Sequence, residues 1–194
     1  MLYLISYGII YNLFNGELDN MDKVLKITET ASLEKYISKI RTFLSDLVIE
    51  YPLHDKWFTG VVEELKKNSK SREVLFILNN LDEIVGVSIL KKTKSEKKIC
   101  TFRVAENYQR QGIGTMLMKK SLEFLETDKP IITVSGSKHN EFIRLFKRFN
   151  FGLNKVYFGK YRYLAIEYCY NGVLSPETIL KSKNATNSVN TETA

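Results

Sequence analysis

The sequence predicts an α/β (α+β) fold in which a mixed, mostly antiparallel central sheet is flanked by helices on both faces. Three observations carry this. Residues 74–79, 83–92 and 98–104 are β-rich runs separated only by short turns, the pattern of an antiparallel meander. Two segments with helical apolar spacing precede them. After them the pattern changes to helix, short apolar strand, helix and two late strands.

Taken in order, residues 24–28 alternate apolar and polar side chains and predict a first strand. Ser32 is placed to cap a helix whose stripe of Leu33, Tyr36, Ile37, Ile40, Phe43, Leu44, Leu47 and Val48 has the spacing of one buried face. Pro52 ends that helix. A second helix over 55–67 turns Trp57, Phe58, Val61, Val62 and Leu65 to one side. Asn80-Leu81-Asp82 marks a hairpin turn and 93–97 a charged one. Residues 112–126 are helical with Ile113, Met116, Leu117, Leu122 and Leu125 inward, and 130–135 is a short apolar strand. A helix over 140–149 buries Phe142, Ile143, Leu145, Phe146 and Phe149, with Asn140 as its N-cap and its basic residues outside. Strands over 153–158 and 161–170 close the domain.

Composition bounds the organisation. The 194 residues are 44% hydrophobic and 12% aromatic, enough for one sizeable core and one domain, expected over 21–174. Residues 1–14 form the most apolar run. It is shorter than the roughly 20 residues of a spanning helix and lacks the basic start and small-residue close of a secretory signal. Residues 1–20 are therefore expected to be an extension that packs on the domain, or an untranslated one with Met21 as the start, and no membrane contact is expected. Residues 175–194 lack apolar periodicity and are expected to be a polar, disordered tail. Cys100 and Cys169 are too few for a disulfide framework, and with two histidines no Cys/His zinc site can be assembled, so a cytoplasmic protein without a metal is expected.

The net charge of +7 favours anionic ligands without choosing among them. It is concentrated over 138–162, where Lys138, Arg144, Lys147, Arg148, Lys155, Lys160 and Arg162 face a single acid, Glu141, for a local balance of +6. Both a solvated face and a polyanion-facing surface fit that stretch.

The chemistry sits at Val104-Ala105-Glu106-Asn107-Tyr108-Gln109-Arg110-Gln111-Gly112-Ile113-Gly114-Thr115. A strand runs into a loop with two glycines that opens directly into a helix. Unpaired amides at a helix start, together with the macrodipole, bind phosphate. Glycine at 112 and 114 lets the backbone approach a ligand, and Arg110 can add a charge-assisted contact. A dinucleotide fingerprint would need a third glycine where Leu117 stands, and a phosphate loop of the Gly-Lys-Ser/Thr type would need a lysine that is absent here.

Gln109-Arg110-Gln111-Gly112-Ile113-Gly114 resembles the Gln/Arg-x-x-Gly-x-Gly/Ala signature of the GNAT family of N-acetyltransferases. The surrounding Val104-x-x-Asn107-Tyr108 and Met116-Leu117-Met118 fit it too, and residues 146–151 occupy the place of the family's Tyr-x-x-x-Gly-Phe ending of the fourth helix. The resemblance implies the GNAT acyl-CoA N-acyltransferase fold and transfer of an acetyl (acyl) group from acetyl-CoA to a primary amine by direct attack in a ternary complex, without a metal. It implies that the amides of Gln111, Gly112, Ile113, Gly114 and Thr115 hold the pyrophosphate. Phe102 and Val104 would offer backbone groups to the pantetheine arm where two strands splay apart, and Gln109, Arg110 and Asn140 complete the expected acyl-CoA set.

Two positions depart from the family pattern. The slot of the tyrosine that often protonates the leaving thiolate holds Phe146, and the slot of a frequent glutamate base holds Cys100. Tyr157, Tyr161, Tyr163, His139 and Ser135 are the substitutes the sequence offers, beside water alone, although core and strand-capping roles account better for the tyrosines, and a capping or exposed role for His139. Cys100 has no histidine partner apparent in sequence that would make it a nucleophile. These departures also admit a second reading, a catalytically weak acyl-CoA-binding or nucleic-acid-interacting module. The acceptor stays open among small molecules, proteins and aminoacyl-tRNA, the last through RNA contact by residues 138–162, and so does a homodimer.

Overall fold

The antiparallel meander expected at the centre of the chain forms the middle of a seven-stranded sheet. The computed structural model describes residues 24–27, 30–67 and 70–174. The extension over 1–20, the tail over 175–194 and the side chains of Ser32 and Leu33 lie outside the described residues.

Strand β1 (Val24–Lys26) and helices α1 (Thr30–Phe43) and α2 (His54–Lys66) precede β2 (Arg72–Leu78), β3 (Ile84–Lys92) and β4 (Lys97–Val104). Helix α3 (Ile113–Leu125), β5 (Ile131–Ser135), α4 (His139–Arg148), β6 (Leu153–Phe158) and β7 (Ile166–Tyr170) follow. The strands lie in the order β1-β2-β3-β4-β5-β7-β6, and all neighbours are antiparallel except β4 and β5. The β2–β3 turn has a local cause: Asn79 Oδ1 accepts the amides of Leu81 at 2.9 Å and Glu83 at 3.0 Å, so one short side chain closes the hairpin. Among the described residues no helix is long and apolar enough to cross a membrane.

Two apolar layers sandwich the sheet. Phe58, Val61 and Val62 of α2 and Ile40 of α1 pack on Val74, Phe76, Val87 and Ile89. On the other face Ile113, Leu117, Met118 and Leu125 of α3 and Phe146 of α4 pack on Leu75, Ile77, Ile99, Ile132 and Val134. The alternation along β2, with Val74 and Phe76 on one face and Leu75 and Ile77 on the other, is a strand covered on both sides. Met116 and Leu122 are only partly buried, and in α4 Phe146 alone is fully buried.

Three expectations need correction. Helix α1 stops at Phe43 and the chain continues as a 3-10 turn, Ser45–Ile49, well before Pro52. The tighter winding rotates Val48 out to 47% exposure, where uniform helical spacing would bury it. Asn140 does not cap α4; it lies in the first turn, and Lys138 holds the cap position without a side-chain bond. The last strand starts at Ile166 rather than at 161, because positive φ at Gly159 (60°) and Leu164 (58°) folds residues 159–165 into a loop closed by Gly159 N–H donating to Ala165 O at 2.8 Å.

Phe146 is 2% exposed, with ring centroids 4.4 Å from Tyr170, 5.4 Å from Phe142 and 5.5 Å from Phe151. Phe146→Ala should therefore lower unfolding stability by about 3–5 kcal/mol, read from urea unfolding. Glu73, 1% exposed, has its carboxyl pushed up to about 7 by burial, against the opposing pull of the Val74 amide and Lys26. The native state then binds a proton that the unfolded chain releases near pH 4.5, so stability falls as pH rises from there through about 7. Glu73→Gln should raise stability by on the order of 1–3 kcal/mol at pH 8, with the gain vanishing near pH 4.5.

Candidate active site

The loop before α3 is built to leave amides free. Ala105 N–H donates to Val85 O at 2.9 Å and Asn79 Nδ2 to the Tyr108 hydroxyl at 2.9 Å, tying the loop to the meander. Arg110 (φ 63°) and Gly112 (φ 90°) then take left-handed conformations that turn the chain into the helix. The first helical bond runs from Met116 N–H to Gly112 O at 3.0 Å, so the amides of Ile113, Gly114 and Thr115 have no partner four residues back. Successive free amides beside left-handed residues make an anion-binding concavity, reinforced by the dipole of a 13-residue helix.

The two glycines serve different ends. A Cβ at Gly112 would meet nothing within 4 Å, so that position needs glycine for its positive φ. A Cβ at Gly114 would rest 3.8 Å from Val104 and 4.0 Å from Phe102, an ordinary contact, so there the small residue keeps space open beside β4.

That space is the head of a cleft of about 1630 Å³. Strands β4 and β5 pair only at Lys98↔Ile131 and Ile99↔Ile132 and then separate. At the same point β4 carries an extra residue against β3: Ile89 faces Thr101 and Leu90 faces Ile99, which leaves Cys100 as a bulge. The cleft follows this opening from Gly112, Gly114 and Thr115 past Phe102 and Val104 to Thr133, Ser135, Tyr51 and Tyr161.

Charged side chains rim the cleft, mostly in pairs. Arg72 binds Glu64 at 2.6 Å and its Nη1 reaches Cys100 Sγ at 3.5 Å. Lys91 binds Glu96 at 2.6 Å, Arg162 lies 3.5 Å from Glu50, and Arg103 pairs with Asp46, holding that carboxyl below its ordinary range. Burial pushes the Tyr161 phenol up and the His54 imidazole down. Glu167 is 4% exposed and pushed up to about 7 by burial, although the hydroxyls of Thr133 and Tyr51 oppose the shift.

The positions singled out in the sequence fall into groups. Phe102, Val104, Gln109, Arg110, Gly112, Gly114, Thr115 and Asn140 line the cleft. Gln111 points its amide back to Asn107 O at 2.7 Å, and Ile113 buries its side chain in the core, leaving each only its backbone to offer. Ser135, Tyr161 and Tyr163 line the cleft as well. Tyr157 accepts the Leu174 amide at 3.0 Å, and His139 stacks on Tyr168 at 3.9 Å with Nε2 2.6 Å from the Tyr170 hydroxyl, on the α4 side of the sheet.

Three residues escaped the sequence reading. Arg148 donates to Thr115 Oγ1 at 2.7 Å, bringing a guanidinium from α4 to the free amides of α3. Its only sequence signal was membership of the basic stretch, which the fold disperses: Lys138 pairs with Glu141, Arg162 with Glu50, Lys160 is buried, and Arg144 and Arg148 turn to the cleft. Tyr51 and Glu167 meet across 116 residues with no spacing signal at all.

Comparisons with known proteins agree with this architecture. A family model described as an acetyltransferase (GNAT) domain matches residues 46–153. An acetyltransferase of the GNAT family from Desulfovibrio desulfuricans is 15% identical, with a TM-score of 0.57 over 77% of this chain and 96% of that one. A GNAT-family acetyltransferase from Streptococcus pneumoniae is 13% identical, with a TM-score of 0.54 over 76% and 96%. IAA acetyltransferase from Bacillus cereus is 16% identical, with a TM-score of 0.50 over 65% and 89%. No curated protein sequence matches the chain. At these identities the structures speak for the shared fold, while the family model covers more than half of the sequence, beginning well before the glycine motif: the chain belongs to the GNAT acetyltransferase family.

Proposed function

We propose that the protein transfers an acetyl group from acetyl-CoA to a primary amine by direct attack in a ternary complex. The observation that carries this reading is the continuity of one cleft, from free amides at a helix start to the gap between two diverging strands. Acetyl-CoA has matching parts: a diphosphate, a narrow extended arm and a reactive thioester. The amides of Ile113, Gly114 and Thr115 and the guanidinium of Arg148 suit the diphosphate. Phe102 and Val104 flank the arm along β4, and the thioester comes to lie near the Cys100 bulge. When bound, acetyl-CoA supplies an activated acyl group on a good leaving group.

The chain's own part is positioning and electrostatics. Holding the amine against the thioester can offset about 7–11 kcal/mol of barrier, and backbone donors stabilise the developing oxyanion. The acceptor approaches from the side of Tyr51, Trp57, Arg72 and Tyr161, where polar and aromatic groups share the cleft wall.

Isothermal titration of the full chain with CoA tests the reading, and absence of binding would overturn it. Gly112→Asp adds a side chain at a φ of 90° and a negative charge beside the diphosphate site, and should bring binding below detection. Arg148→Ala should weaken CoA about 10-fold or more, the worth of a charge-assisted hydrogen bond, with a smaller loss at high salt.

A further inference from the structure

A primary amine is mostly protonated at neutral pH, since its pKa is near 10.4, and it cannot attack until a proton leaves. Most carboxylates on the cleft wall are committed to cations: Asp46 to Arg103, Glu50 to Arg162, Glu64 to Arg72 and Glu96 to Lys91. Glu167 is different. It forms no salt bridge among the described residues. It reaches the cleft through two hydroxyls, those of Tyr51 and Thr133, of which only the Tyr51 phenol is acidic enough to pass a proton on. The Tyr51 hydroxyl donates to Glu167 Oε1 at 3.2 Å and accepts the Ser135 amide at 3.2 Å. Tyr51 and Ser135 line the cleft; Glu167 stands behind them on β7, directly opposite Ser135 in register. Tyr161 packs edge-on against Tyr51 at 5.4 Å and holds the ring in place.

We propose that Tyr51 and Glu167 form a proton relay serving the acceptor amine, with Tyr51 touching the amine and Glu167 acting through it. The inference rests on the acetyl-transfer reading above. An amine enters as R–NH3+. One proton passes to Tyr51 Oη while Tyr51's own proton passes to Glu167 Oε1, leaving a neutral amine, an unchanged phenol and a carboxylic acid. The nitrogen lone pair forms the C–N bond, and the C–S bond breaks with its electron pair on sulfur. A second N–H proton ends on that sulfur as free thiol. Glu167 returns to a carboxylate by releasing its proton to water.

The surroundings suit this division of work. Glu167 is faced by Lys98 from β4, Glu50 and Tyr51 from the segment before α2, Thr133 and Ser135 from β5, Tyr157 from β6, Tyr161 from the 159–165 loop and Cys169 of its own strand. Burial outweighs the lowering influence of Thr133, Tyr51 and Lys98 and leaves the carboxyl at about 7, where a base is both available and strong enough. Tyr51 is pushed the other way from reactivity: burial first, then Glu167, raises its phenol far above the ordinary value, so it conducts a proton and does not hold a charge.

Water in the amine's place is served by the same relay, so thioester hydrolysis of acetyl-CoA by the full chain, read as thiol release, is the probe. Above the solution background, the wild-type rate should rise with pH and level off above about pH 7. Glu167→Gln and Tyr51→Phe, both close in shape, should each lose on the order of 100-fold and lose the inflection, with CoA affinity by titration unchanged and no further loss in the double variant. The relay is overturned if either variant keeps the wild-type rate and inflection, if the two losses multiply, or if the wild type binds CoA and shows no hydrolysis above background. Failure of the wild type to bind CoA would remove the acetyl-transfer reading itself.

Discussion

Strands β4 and β5 run parallel for two residue pairs and then part, and this brief pairing organises the molecule. Continued pairing would satisfy the backbone of both strands and close the sheet, leaving a surface with no cleft. The chain prevents it locally by placing an extra residue, Cys100, in β4 where the pairing ends. Helix α3 begins above β4 and α4 follows β5, so the gap is walled by two helix starts on one face. On the other face α1 and α2 cover β2 and β3 with apolar side chains. Over β4, β5 and β7 their place is taken by Tyr51, Tyr161 and the 159–165 loop. Polar groups are tolerated there where they are paired, as Tyr51 is with Glu167 and Ser135 and Arg162 with Glu50.

Electrostatics follows from the same geometry. Arg162 of the last loop reaches Glu50, and Arg103 of β4 reaches Asp46 in the turn after α1. These contacts join segments far apart in sequence across the rim of the cleft. Exposed pairs of this kind add little stability each. Their effect is to occupy most of the carboxylates, so that the proton-accepting capacity near the strand opening is left to the buried Glu167. Its neighbours are hydroxyls, the buried Lys98, the Cys169 thiol and Glu50, and burial pushes the carboxyl up to about 7.

The acid and base slots of the family pattern illustrate how position and environment separate. The motif resemblance puts Phe146 where a hydroxyl was expected, and the structure packs it among Tyr170, Phe142 and Phe151. The same resemblance expects a glutamate where Cys100 stands, and the structure shows that thiol accepting a contact from Arg72. The hydrogen-bonded pair beside the opening comes instead from positions far apart in sequence, Tyr51 between the 3-10 turn and α2 and Glu167 on β7.

Read alone, the sequence was enough for the element order, the antiparallel meander and the helix-start amides after Val104, because each rests on local periodicity, short turns and the glycine at 112. The early end of α1 and the loop over 159–165 were not legible: a 3-10 turn keeps nearly the same apolar spacing as an α-helix, and positive φ at Leu164 leaves no compositional mark. Nor could the charge of residues 138–162 be read as a surface, since its partners Glu50 and Thr115 come from other elements. The contact of Tyr51 with Glu167 exists only once β7 inserts between β5 and β6, a long-range pairing that local sequence does not encode and that the burial of apolar surface on both faces of the sheet decides.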